Sequence, residues 1–71
     1  MEYVALREGE TFIRLGQALK KSGVIGSGAD AKAVITDELV FVNGEVETRR
    51  GRKLIAGDVV TYEGETFQIA P

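Results

Sequence analysis

An α+β fold is what this 71-residue sequence predicts: two short packed helices against a small, mostly antiparallel sheet of four to five strands. Three observations carry that expectation. Apolar residues recur at helical spacing between residues 15 and 35, the period changes to alternation from residue 40, and glycine-bearing turns punctuate the rest.

Residues 3–6 and 11–14 read as an N-terminal hairpin with the stretch EGETF (residues 8–12) at its turn, closing on a C-terminal hairpin. EGETF recurs at residues 63–67 without flanking similarity, so both copies read as hairpin turns of the same chemistry rather than as a duplication. Leu15, Ala18 and Leu19 then share a helical face, and Ser22-Gly23 before Val24-Ile25 is a C-terminal stop. A helix over 15–22 follows, with Lys20 and Lys21 in its last turn, where positive charge suits the helix dipole. Ser27 is placed as the N-cap of a second helix over about 28–37, with Asp30 in the first turn and Ala31, Val34 and Ile35 as the buried stripe. Lys32 lies off that stripe. Helices joined this closely pack as a hairpin or corner.

From Val40 the side chains alternate. Val40-Phe41-Val42, Asn43-Gly44 and Glu45-Val46-Glu47 form a hairpin signal, because Asn-Gly supplies the two positive-φ positions of a type I′ turn. Gly57-Asp58 opens a strand over 59–63, and Gly64 turns the chain into a last strand over 66–70.

The length fits one domain, residues 1–71, and a chain this short buries only about 60% of its unfolded surface, so its core is thin. Apolar residues at 44% and charged residues at 28% fit a folded globule and not a disordered chain. With no Cys and no His, disulfides, Cys-based zinc centres and His-dependent triads are excluded by inventory. No apolar run reaches about 18 residues, and residues 1–6 lack a basic leader, so neither a membrane span nor a signal peptide is expected. A cytoplasmic monomer without cofactor, metal or membrane contact is the expectation.

Charge is unevenly spread behind a net −2. Residues 1–13 and 54–71 are net acidic, and residues 14–53 carry eight of the nine Lys and Arg side chains. Within NGEVETRRGRK, residues 43–53, Arg49, Arg50, Arg52 and Lys53 crowd into five positions despite their repulsion. Lys20, Lys21, Lys32 and Arg14 complete a cationic middle, and the planar fork of Arg suits phosphate oxygens, so nucleic-acid binding is favoured over a merely solvated face. A protein-interaction adaptor whose cationic face docks an acidic partner is the alternative. Other motifs carry less. Gly26-Ser27-Gly28-Ala29-Asp30-Ala31 matches the dinucleotide pattern GxGxxA but follows a helix, and its glycines are helix-entry geometry. Glu8/Glu10, Glu45/Glu47 and Glu63/Glu65 are spaced for acid–base or metal work, but each flanks a turn and reads as a solvated pair. Phe41 reads as core or rim, packed against Leu39 or Val46, rather than as a base-stacking residue.

SGADAK (27–32), VFVNGEV (40–46), ETRRGRKL (47–54) and AGDVV (56–60), in this order, resemble the alpha-L RNA-binding domain of the ribosomal small-subunit protein S-four type. The resemblance covers residues 11–63 and is strongest to the stand-alone YbcJ/YaaA-like branch. It implies an α+β fold, the alpha-L motif, whose helix pair and following loop face RNA without catalysis. Carried over by position, Lys20, Lys21, Ser27, Lys32, Asn43, Arg49, Arg50, Arg52 and Lys53 would line that face, with structured RNA (ribosomal or transfer RNA) as partner. Three positions depart from the family: Ala29 where Gly is common, Phe41 where a polar or basic residue is common, and Gly16 where an acidic helix-start residue is common.

Overall fold

The computed structural model describes residues 2–71, and its elements run β1 (Glu2–Ala5), β2 (Ile13–Arg14), α1 (Leu15–Ser22), α2 (Gly28–Thr36), β3 (Val40–Val42), β4 (Glu45–Val46), β5 (Lys53–Leu54), β6 (Val59–Tyr62) and β7 (Glu65–Ala70). Both helices form where the spacing places them. Gly23 ends α1 in the left-handed conformation, with its N–H on the Lys20 carbonyl, as a glycine stop does. Ser27 caps α2, its Oγ accepting from the Asp30 N–H at 3.2 Å.

Five strands form one sheet in the order β1-β7-β6-β3-β4, antiparallel except for the parallel β1–β7 pair. The expected N-terminal hairpin does not form. Instead Glu2–Ala5 runs beside Phe67–Ala70, Leu6 N–H continues to the Ala70 carbonyl, and the chain turns at Gly9 (φ 87°) to start β2 elsewhere. Ile13 and Arg14 pair with Leu54 and Lys53 in a separate two-stranded ribbon. The exchange is driven by burial: Val4 and Ile13 each reach the core from their own strand, whereas a hairpin would pair them only with one another. The first EGETF is therefore a turn without a hairpin, and the second closes the β6–β7 hairpin at Glu63-Gly64, both at positive φ.

One face of the five-stranded sheet takes the helices. Leu15, Ala18 and Leu19 of α1 and Ala31 and Ile35 of α2 meet Val40, Val42, Val60, Phe67 and Ile69, all buried, with Leu54 reaching in from the ribbon. Burying each larger side chain contributes about 1.5–3 kcal/mol, and this single cluster carries most of the stability. On the opposite face Phe41 sits exposed between Val46 and Thr61, turned away from the core.

Asn43 and Gly44 take φ of 52° and 85°, the type I′ turn that Asn-Gly predicts. A β-branched residue resists that region, so Gly44→Val is expected to cost about 1 kcal/mol or more and lower the melting temperature by roughly 4–8 °C in a domain this small. A thermal melt checks it, and an unchanged midpoint would rule out the strained turn.

Candidate nucleic-acid interface

Residues 47–52 form no helix or strand, yet the fold grips them at both ends. The Glu47 N–H bonds the Val40 carbonyl, and β5 then pairs with β2. Between these anchors the loop lies over the start of α1, where its carbonyls serve as a cap. Leu15 N–H donates to the Arg52 carbonyl at 2.8 Å, and Gly16 N–H to the Arg50 carbonyl at 3.0 Å. Gln17 Oε1 accepts from the Arg14 N–H at 3.4 Å, and an Arg side chain has no acceptor with which to return the bond. The first turn of α1 holds no acidic residue, so its partial positive charge adds to the basic loop.

Gly16 lets the Arg50 side chain lie against the start of α1. A Cβ there would stand 2.7 Å from Arg50 Cγ and 3.6 Å from the Arg50 carbonyl oxygen, so the loop backbone has room for a side chain but the Arg50 side chain would have to move.

Glu47 overturns the reading of a solvated turn pair. It is 6% exposed, and each of its oxygens accepts two bonds. Oε2 takes the Arg49 N–H at 3.0 Å and Nε at 3.1 Å; Oε1 takes Arg49 Nη2 at 3.1 Å and Arg52 Nη1 at 2.9 Å. Burying a carboxylate is costly unless it is paired and hydrogen-bonded, and these four bonds meet that condition. The bonds from Arg49 lead in lowering its pKa, with Arg52 adding to them against the opposing effect of burial, and the group is held at about 2. The same partnership raises the Arg49 guanidinium above its usual value. Arg49 and Arg52 are thus held near one another by a buried anion between them.

Two open clefts flank the loop. The first, about 280 Å³, lies between α1, the start of α2 and the loop, lined by Arg14, Gly16, Lys20, Gly28 and Arg50 among others. The second, about 510 Å³, is bounded by Arg14, Arg49, Gly51, Arg52 and Lys53. Arg14, which donates to the Gly51 carbonyl at 2.8 Å, stands between them.

The nine residues expected to face RNA divide by place. Lys20, Arg50, Arg49, Arg52 and Lys53 converge on these clefts. Lys32 is exposed one turn along α2 from Gly28, on the same side of that helix. Lys21 Nζ donates to the Ala5 carbonyl at 2.6 Å and lies in a different recess with Arg7 and Glu10. Ser27 Oγ caps α2, and Asn43 bridges turns, with Nδ2 on Asp58 Oδ1 at 3.1 Å and Oδ1 on the Val59 N–H at 2.9 Å. Phe12 and Glu47 are the residues that sequence reasoning passed over: Phe12 was assigned to the acidic N-terminal segment, and the fold brings it beside Arg14 and Lys53.

The family model for the S4 domain matches residues 4–70 of this chain. The chain belongs to the S4 domain family. Among similar proteins, one from Bacillus subtilis named as a probable ribosome maturation protein, RlbA, is 52% identical over 58 residues, 80% of this chain and 82% of its own length. The Escherichia coli protein YbcJ is 40% identical over 57 residues, 80% of this chain and 81% of its own. The solution structure of YbcJ, described as an alpha-L motif involved in RNA binding, superposes with a TM-score of 0.74 at 35% identity, covering 100% of this chain and 89% of that one. In this S4 domain the helix pair and the loop after β4 meet at the first cleft, and the same loop with β2 and β5 bounds the second.

Proposed function

We propose that the protein binds structured RNA through its phosphates, without catalysing a reaction on it, as a monomer in the cytoplasm. The observation that carries this reading is the convergence of Arg14, Lys20, Arg49, Arg50, Arg52 and Lys53 on two adjoining clefts of a net-acidic chain. Among the described residues, the side chains of Lys20, Lys32 and Arg50 have no hydrogen-bond or ion-pair partner within the protein, which leaves their charge available. Arg49 and Arg52 hold theirs in place against Glu47, with side chains 74% and 31% exposed. The family and the RNA-binding description of YbcJ support an RNA partner, and the ribosome maturation named for RlbA supports ribosomal RNA. Fixed cations at fixed spacing favour folded RNA, whose phosphates and 2′-hydroxyls are themselves at fixed spacing.

The test is a titration of a hairpin RNA and an unstructured oligomer of equal length at rising salt. If about four phosphates are neutralised, the log–log slope is near −3 to −4, and the hairpin binds tighter. A preference for the unstructured strand contradicts the structured-RNA reading, and retention already lost near physiological ionic strength favours an adaptor for an acidic protein.

A further inference from the structure

We propose that Phe12, with Arg14 and Lys53, forms a stacking subsite for one unpaired nucleobase of the bound RNA, an inference that rests on the RNA-binding reading above. Phe12 is half-buried but belongs neither to the hydrophobic core nor to the apolar residues packed against it. Its ring is held instead under two cations: Lys53 Nζ stands 4.8 Å and Arg14 Cζ 5.3 Å from the ring centroid. The β2–β5 ribbon sets this arrangement, since it pairs Arg14 with Lys53 two residues after Phe12 leaves the N-terminal turn. Both cations also line the 510 Å³ cleft with Arg49, Gly51 and Arg52, so the ring adjoins a groove suited to phosphate. An aromatic ring that the fold does not use, placed at the edge of a basic groove, is the pairing on which bases stack in RNA-binding surfaces.

The exchange is at worst close to even for the base. Two cations over an exposed ring are together worth about five- to thirtyfold in an equilibrium constant, and a base stacked on an aromatic about five- to 150-fold. An ammonium displaced from the ring is left beside the nucleotide's own phosphate, so little of its attraction is lost. Phe41 has no such company: it sits on the sheet face turned away from the core, and among the described residues no cation covers it. One stacking site in a phosphate-binding surface fits a folded RNA that presents a single unpaired base, as a bulge or loop does.

The probe is a hairpin RNA carrying one bulged adenosine, compared with the same hairpin in which that nucleoside is abasic, so that the phosphates are identical. Wild-type protein is expected to bind the adenosine bulge at least about fivefold tighter. Phe12→Leu is expected to bind the abasic RNA as wild type does and to lose the preference. Because the chain has no Trp, Phe12→Trp introduces a single indole that can be excited apart from the two Tyr, and it is expected to keep the preference and to be quenched by the adenosine bulge only. Should Phe12→Leu fail to fold, this quenching comparison decides alone. Equal, salt-sensitive binding of both RNAs by wild type overturns the subsite and leaves the RNA reading standing. A preference that survives in folded Phe12→Leu overturns it as well. No binding of either RNA removes the RNA reading and the subsite with it.

Discussion

Replacing Lys20, Lys32, Arg50 and Lys53 together by Gln is expected to remove most RNA binding while the domain still folds. These four are chosen because none of them partners Glu47, so their loss leaves the buried carboxylate satisfied. Exposed substitutions of this kind move stability by about 0.5 kcal/mol each, less than the roughly 4–11 kcal/mol a chain of this length possesses. Each lost phosphate contact weakens binding across all sequences and reduces the salt slope by roughly one, so the slope becomes markedly shallower while Arg14, Arg49 and Arg52 retain the remainder. Affinity measured at low salt, paired with a thermal melt, checks both halves. Unchanged affinity in a folded variant would place the RNA surface elsewhere. The more obvious set, Arg49, Arg50, Arg52 and Lys53, is a poorer test, because removing Arg49 and Arg52 strips Glu47 of every side-chain donor and confounds binding with folding.

That distinction marks where the sequence was legible. The two helices, the Ser27 cap, the Gly23 stop and the Asn43-Gly44 turn are each specified by chemistry within a few residues, and the structure has all of them. The N-terminal strands were not legible in that way. β1 finds its partner in β7 at the other end of the chain, and β2 finds β5 some forty positions on, so no local pattern records either pairing. One part of the site follows from those distant pairings, and another was masked by a local pattern. Phe12 joins the cationic region only because Arg14 pairs with Lys53. Glu47 resembled Glu45 by spacing, and the signal that separated them was the pair of arginines two and five positions downstream, read at first as charge alone. The basic cluster itself was plain in the sequence; what was hidden was the anion that orders it.

Glu47→Gln is therefore expected to destabilise the domain, and it raises the net charge from −2 to −1. A neutral amide retains one acceptor and turns an NH₂ toward Arg49 or Arg52, so at least one charge-assisted hydrogen bond is lost, at a cost of about 1.5–3 kcal/mol. For a domain of this size that lowers the melting temperature by roughly 10 °C. The effect depends on pH with a definite sign. The carboxyl titrates at about 2 in the folded protein against 4.5 ordinarily, so its contribution is complete above about pH 4.5 and is lost as pH falls toward 2. Melts from pH 6 to 2 should show the wild-type advantage over Glu47→Gln shrinking through that window. For RNA, two effects oppose one another. The negative charge that the substitution removes is buried, and at an effective dielectric constant of about 20 a unit charge roughly 7 Å from a phosphate is worth about 2.4 kcal/mol before salt screening. Releasing Arg49 and Arg52 from their anchor restores disorder that binding must remove again, about 0.5–1.5 kcal/mol for each side chain. The two effects are of similar size and opposite sign, so the affinity of the folded variant decides between them, and weaker binding would show that Glu47 aims Arg49 and Arg52 at the RNA. Tighter binding with an unshifted melt would mean that Glu47 only masks the arginines and does not aim them.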